Sequence, residues 1–531
     1  MTTQSPFERI RDIAQSAPAN LEVWRWGRSA LPGVLAEVSK RRLAEKIERV
    51  RNGGPIGDDG EVGGRWASTT ARLAEWAFQF GDQYSEGREL LGPEITDAVD
   101  MARNWKVVDI ALQGGRSGRA KISQNRRGFW VDPFSNPRME VLDILLEGID
   151  TFAQPTTDFG PDIAPALRFL NGMTSFSSRD SETVPRWVMG IFVQRAKNRL
   201  QNQHWEVPRT TDLGGLTLEE LIPLLATIKG ISELGAEVFI RYPSLEMANP
   251  AFKRSDLERM MARYNNGSSK IARFLDIVTY SGESGRSPFS APLLSWADHI
   301  IMTPHLLHDS LVERMVLRAA SADPSSSGRL GVALGGLCTR WATRLREVPG
   351  AQVAEGVKIL SANNQKLGDL DIVALDASRK RGLIVEAKWP VDARTLGDAR
   401  KQEDAIDKGR AQIERLRAKI DGTVKIKFPG DWPDFQSVRW NWVVGTARYL
   451  DSRVTESDIP STSLRLVEAL LPAASLQELI EKIENPPLPK EGEDFRLGWE
   501  KVRIGGHIIS ARRINILRSS ILGRQRSDGW T

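Results

Sequence analysis

The stretch Gly368-Asp-Leu-Asp-Ile-Val-Ala-Leu-Asp376, followed by Leu383-Ile-Val-Glu-Ala-Lys-Trp389, decides how the second half of this chain is read. Both segments are apolar, and the polar run from Asp376 to Gly382 between them has the composition of a turn, so a buried β-hairpin is predicted. Yet Asp371, Glu386 and Lys388 lie in its midst. A charge in a buried strand is costly unless it is paired or bound to a metal. That cost is the first hint of function, the alternative being an ordinary hairpin with a Glu/Lys pair at its exposed edge.

Side chains alternate along a strand, so Glu386 and Lys388 share one face while Val385, Ala387 and Trp389 share the other. A turn centred between Arg379 and Lys380 sets Asp371 opposite Lys388, with Glu386 its diagonal neighbour. A shift of one residue in the turn exchanges the two roles or moves Asp371 to the other face. Two carboxylates can hold Mg²⁺ or Mn²⁺ through oxygen, and the carbonyl of Ala387 between Glu386 and Lys388 offers a further ligand. Such an ion polarises a phosphodiester and activates water. Lys388 can orient or help deprotonate that water and offset charge building on the phosphate.

Working outward, a helix is expected over about 330–346, a strand over Ala351 to Leu360, and strands over Asp369 to Leu375 and Leu383 to Trp389. A long helix follows over Leu396 to Ile420, with Ala399, Ile406, Ile413, Leu416 and Ile420 on one stripe. Trp440 to Thr446 is the last strong strand. Asp369 reads as a solvated strand-end carboxylate and Asp376 as a cap on the turn.

Gly-Asp-Leu-Asp371 on one strand and Glu386-Ala-Lys388 on the next, in the order helix, three strands, helix, strand, resemble the PD-(D/E)XK nuclease superfamily over residues 328–450. The resemblance implies a restriction-endonuclease-like α/β fold, metal binding by Asp371 and Glu386, and a catalytic Lys388. It also implies that Gln412, on the following helix, faces the site as in some branches. Leu416 stands where one such branch has tyrosine, and Leu370 where the motif's name has proline. Many members add a metal-binding glutamate on the first helix, for which Glu347 and Glu355 are the candidates. The expected function is a metal-dependent nuclease acting on DNA, of a kind that fits restriction or antiviral defence. The motif does not separate DNA from RNA. The competing expectation is a nucleic-acid-binding or scaffold protein that keeps the fold without cutting.

At 531 residues the chain is too long for one core, since domains run to about 150 residues. Apolar residues make up 40% and charged residues 27%, values of an ordinary globular chain. The expected fold is multidomain, a mostly α-helical N-terminal half followed by the α/β nuclease-like domain. The segments expected are a helical domain over 1–150, a helical middle domain over 151–325, the nuclease-like domain over 326–455, and an extension with a basic tail over 456–531. Ser281 to Pro292 and Ser321 to Gly331, rich in Gly, Ser and Pro, read as linkers or long loops. A helix from Leu216 to Ile228 is expected to kink at Pro223.

The net charge of +5 is a mild lean toward polyanions. Local clusters say more. Arg116, Arg119, Lys121, Arg126 and Arg127 occur with no acid among them, Arg379, Lys380 and Arg381 sit at the hairpin turn, and Arg512, Arg513, Arg518, Arg524 and Arg526 mark the tail. All of these could neutralise phosphates. Trp130, beside Arg126 and Arg127, adds an aromatic surface of the sort that clamps nucleic acid, while most of the sixteen tryptophans read as helix packing.

One cysteine, Cys338, allows neither an intrachain disulfide nor a cysteine zinc site and reads as a core residue. His299, His305 and His308 follow no metal-ligand spacing and are expected at ordinary positions. No apolar run reaches the roughly 18 residues of a membrane span, and no signal-peptide pattern opens the chain, so a cytoplasmic protein without a membrane partner is expected. A phosphate-binding Gly-x4-Gly-Lys-[Ser/Thr] loop is absent. A motor, if cleavage is coupled to one, is therefore a separate protein, and cutting both strands would favour a homodimer.

Overall fold

The computed structural model describes residues 4–52, 60–81, 92–116, 118–152, 161–173, 184–202, 208–242, 249–265, 269–283, 286–308, 338–376, 378, 380–388, 396–420, 424–453 and 457–517. The chain is multidomain and mixes helices with three β-sheets. It divides into two compact units that interleave along the sequence: Met1–Asp109, Thr156–Leu330 and Val502–Ile508 in the first, Ile110–Pro155, Gly331–Lys501 and Ile509–Thr531 in the second. Most of the two segments expected as separate helical domains thus fall in one unit. Residues 110–155 join the hairpin-bearing segment instead. Among the described residues no helix is long and apolar enough to cross a membrane.

The first unit is mostly helical. Its longest helix, Leu218–Arg241, opens on a capping box in which Thr217 accepts from the Glu220 N–H and the Glu220 carboxylate accepts from the Thr217 N–H. The helix runs on through Pro223 and ends well beyond the expected Ile228. Trp24, Trp66, Trp76 and Trp105 are buried, as helix-packing tryptophans should be. The unit also holds a four-stranded sheet in the order Ala251–Lys253, His299–Met302, Leu293–Trp296, Thr279–Tyr280. These strands span two to four residues, too few to show a period of two in sequence. The described part of Ser281 to Pro292 connects two of them and is a loop within this unit. Ser321 to Gly331 lies outside the described residues.

The second unit is built on two sheets, except that the tip of the last hairpin, Val502–Ile508, falls in the first unit. Its elements in chain order are β1 (Lys121–Asn125), β2 (Gly128–Asp132), α1 (Pro137–Phe152), α2 (Cys338–Arg346), β3 (Ala351–Leu360), β4 (Lys366–Asp376), β5 (Arg381–Lys388), α3 (Leu396–Lys419), β6 (Lys425–Lys427), β7 (Arg439–Thr446), β8 (Ser461–Ser463), α4 (Leu464–Leu470), α5 (Leu476–Glu484), β9 (Phe495–Ile504) and β10 (His507–Ile516). The central sheet has the order β6-β3-β4-β5-β7-β8. β3, β4 and β5 pair antiparallel, whereas β7 runs parallel to β5, so α3 is the crossover between parallel neighbours. The smaller sheet has the order β1-β2-β10-β9.

Each face of the central sheet carries its own core. Ile372, Ala374, Leu383, Val385, Ala387 and Val443 pack with Trp341 and Leu345 of α2, Leu142 and Leu146 of α1, Leu466 of α4 and Leu479 of α5. On the other face Val373, Ile384, Trp442 and Val444 pack with Ala399, Ile406, Ile413 and Leu416 of α3. The helical stripe read from the sequence is the stripe that is buried. Cys338, half-buried, packs at the margin of the first core.

Candidate active site

The β4–β5 ladder pairs Asp376 with Arg381 and runs to the pair Ile372–Val385. Continued by one pair, it sets Asp371 opposite Glu386. The expected pairing of Asp371 with Lys388 is therefore corrected: the turn is centred one residue earlier, between positions 378 and 379. The side chain of Asp376 accounts for the early closure, because its Oδ1 accepts from Ser378 N–H at 3.1 Å and from Ser378 Oγ at 2.6 Å.

At Asp371 the regular alternation of β4 breaks. Ile372 and Ala374 belong to the α2-side core, Val373 to the α3-side core, and Leu370 to the α3 side as well. Leu370 and Val373, three residues apart, cannot share a face of a regular strand. Across from this point in β3, Gly356 has φ +60°, a conformation in which side chains are strained, and open space where a Cβ would stand. Such irregularities re-aim side chains, and here the strand turns its carboxylate toward the next strand. Asp371 Oδ2 accepts the backbone N–H of Ala387 at 2.9 Å.

Glu386 is 3% exposed. Its Oε1 accepts from Lys388 Nζ at 2.6 Å, and the same Nζ donates to Gln412 Oε1 of α3 at 3.2 Å. Asp371, Glu386, Lys388 and Gln412, expected on two strands and a helix, are thus brought together. Gly409 lets α3 approach. A Cβ there would sit 2.8 Å from Val444 Cγ1 and 3.4 Å from Lys388 Cε. The sequence carries the signal as a glycine inside an otherwise strong helix, where it costs about 1 kcal/mol against alanine.

Burial raises the Glu386 carboxyl to about 7, and the neighbouring Asp371 charge pushes it the same way against the opposing effect of Lys388. Asp371 is also raised, by burial first, although the Ala387 N–H and Lys388 favour its charged form. The pair therefore crowds more negative charge than Lys388 alone offsets. Oxygen donors in that state suit a hard divalent cation such as Mg²⁺ or Mn²⁺. Among the described residues no three His, Cys, Asp or Glu side chains are arranged to hold a metal. The donors at hand are two carboxylates, to which a backbone carbonyl such as that of Ala387 and water could be added.

Glu347 and Glu355 do not join them. Glu347 is ion-paired with Arg344 at 2.6 Å, and Glu355 accepts from Arg346 at 3.0 Å and from Thr339 at 2.9 Å. Glu355 pairs with Ile372, whose side chain is in the α2-side core. Asp369 is ion-paired with Lys366 at 2.7 Å and nearly half exposed. His305 is buried with its Nε2 2.9 Å from Ser39 Oγ.

One basic residue is placed differently from expectation. Arg119, read as part of a phosphate-facing cluster, has a side chain only 6% exposed; it pairs with Glu140, lies 3.4 Å from Glu403, and donates to Ser452. It belongs to a partly buried network that fastens α3. Tyr449 Oη donates to Glu403, Arg410 pairs with Asp451 at 3.1 Å, and Arg453 pairs with Asp451 at 2.9 Å and Asp407 at 2.8 Å. Glu403, Asp407 and Arg410 recur at helical spacing, so the network holds α3 to the chain after β7 and fixes the height of Gln412. No local pattern announces it, since its partners come from residues 119–453. Arg116, Lys121, Arg126, Arg127 and Lys380 are exposed, and Arg381 is half-buried at the start of β5. Arg512 is paired with Asp132 at 2.7 Å and Arg513 lies 3.8 Å from Glu500. Arg379, Arg518, Arg524 and Arg526 lie outside the described residues.

Comparison of the chain with protein-family models, with curated proteins and with solved structures finds no match.

Proposed function

We propose that the second unit is a divalent-metal-dependent nuclease that hydrolyses phosphodiester bonds, with DNA as its substrate. The observation that carries this reading is the close pair of half-buried Asp371 and buried Glu386 on neighbouring strands, with Lys388 held between Glu386 and Gln412. Asp371 and Glu386 would hold Mg²⁺ or Mn²⁺, assisted by the Ala387 carbonyl, and the ion supplies charge for a phosphate oxygen and acidifies water. Lys388 Nζ, held by two acceptors, would keep one proton for a phosphate oxygen or the attacking water. The hydrolysis joins water oxygen to phosphorus as the ester P–O bond breaks, and the leaving oxygen takes up a proton. Gln412 keeps Lys388 oriented.

The test is incubation of supercoiled plasmid, linear duplex, single-stranded DNA and RNA with Mg²⁺ or Mn²⁺, wild type beside Asp371→Ala and Lys388→Ala. Metal-dependent cutting that both variants lose is expected. Cutting retained in either variant, or none by the wild type on any substrate, overturns the reading.

A further inference from the structure

Away from the carboxylate pair, the smaller sheet of the second unit presents two unlike faces. Phe129 and Val131 of β2 are buried at 1% and 0%, so that side is core. Between them points Trp130, whose ring meets that of Trp499 of β9 edge-on at 5.0 Å. Trp499 is 46% exposed, and Lys501 Nζ stands 5.8 Å above the Trp130 ring. The register pairs Ser123 with Trp130 and Lys121 with Asp132, which puts Lys121 on the tryptophan side. Arg126 and Arg127 form the exposed turn between β1 and β2.

We propose that this face binds single-stranded nucleic acid, with a base stacked on Trp499 and phosphates along Lys501, Lys121 and the Arg126–Arg127 turn. The occupant follows from the chemistry. An exposed indole propped by a second one is a rigid, flat surface for a base, and every base has a π-face to offer. Lys121, Arg126, Arg127 and Lys501 have no ion-pair partner among the described residues, so their charge is available to a polyanion. The acid on this side, Asp132, is taken by Arg512. A protein partner would have to bury four unmatched cations. A duplex, its bases stacked on one another, would leave Trp499 without a partner.

The inference rests on the nuclease reading only for the substrate class. Its test therefore avoids cleavage. Fluorescent oligonucleotides of about 20 nucleotides, a length that spans one such site, are titrated in EDTA as single-stranded DNA, single-stranded RNA and duplex. Wild type, Trp499→Ala, Trp499→Phe, Lys501→Ala and Asp371→Ala are compared. Trp499→Ala is expected to weaken single-strand binding about tenfold while Trp499→Phe stays near wild type. Lys501→Ala should lower the salt dependence by about one phosphate contact. Asp371→Ala should bind like wild type, so a failure of the nuclease reading leaves this result intact. Equal binding by Trp499→Ala and wild type, or duplex preferred over single strand by the wild type, overturns the proposal.

Discussion

Asp371 faces Glu386 across two neighbouring strands, and its Oδ2 takes the N–H of Ala387, the residue beside Glu386, at 2.9 Å. One carboxylate is held by backbone and the other by Lys388, so neither can move away from its like-charged neighbour. Asp371→Asn keeps the shape and an acceptor but removes one charge. Cutting should fall at least about a hundredfold, the scale of losing one group that stabilises the transition state. The urea midpoint should be no lower than wild type, because the buried repulsion is gone. A lower midpoint would mean that the Asp371 charge supports the fold.

Glu386 gives a pH dependence. Its carboxyl is raised to about 7 in the folded protein and lies near the ordinary 4.5 when unfolded. The folded state then holds the proton more tightly, so this contribution to stability is full below pH 4.5 and is lost as pH rises through about 7. Metal-free protein should melt at lower temperature at pH 8 than at pH 6, and Glu386→Gln should flatten the difference. Mg²⁺ bound as proposed would compete with that proton, so its stabilising effect should be larger at pH 8. Scanning calorimetry with and without Mg²⁺ reads both effects, and a wild-type profile as flat as the variant's refutes the assignment.

Gln412 accepts from Lys388 Nζ at 3.2 Å, so under the proposed reading it would act through Lys388 and not on the substrate. Gln412→Ala should lower kcat about tenfold with little change in KM, and Gln412→Glu, which keeps an acceptor for Nζ, should recover part of it. An increase in KM alone would instead place Gln412 against the nucleic acid.

Gly409 fixes how closely α3 lies on the sheet. Gly409→Val would drive its side chain into Val444 and Lys388. Overpacking of this kind costs about 1–3 kcal/mol, and activity should fall further than stability because Lys388 is displaced. Denaturant melts beside a cleavage assay separate the two losses.

Arg119 and Arg127 should behave as opposites although both belong to one basic stretch. Arg119→Met strips a buried cation from Glu140 and Glu403, and breaking such a pair costs about 3–5 kcal/mol. Arg127→Ala, in an exposed turn, should leave stability within about 0.5 kcal/mol of wild type. Equal stability of the two variants would contradict the partly buried network.

Local periodicity determined much of the second unit. The strands Ala351–Leu360 and Arg439–Thr446, the helix Leu396–Lys419 and its buried stripe follow from runs of apolar residues long enough to show their period. So did the choice of Asp371, Glu386 and Lys388, because a charge inside an apolar strand conflicts with its surroundings in any register. The register itself did not follow. It depended on one side-chain cap, that of Asp376 on Ser378. The sheet around Trp130 was equally out of reach, since β2 pairs with β10, whose residues lie more than three hundred positions on. Arg119 shows the general reason. Sequence reports what a residue costs to bury, but only the tertiary structure decides whether it is buried, because burial is set by partners that the chain brings back from afar.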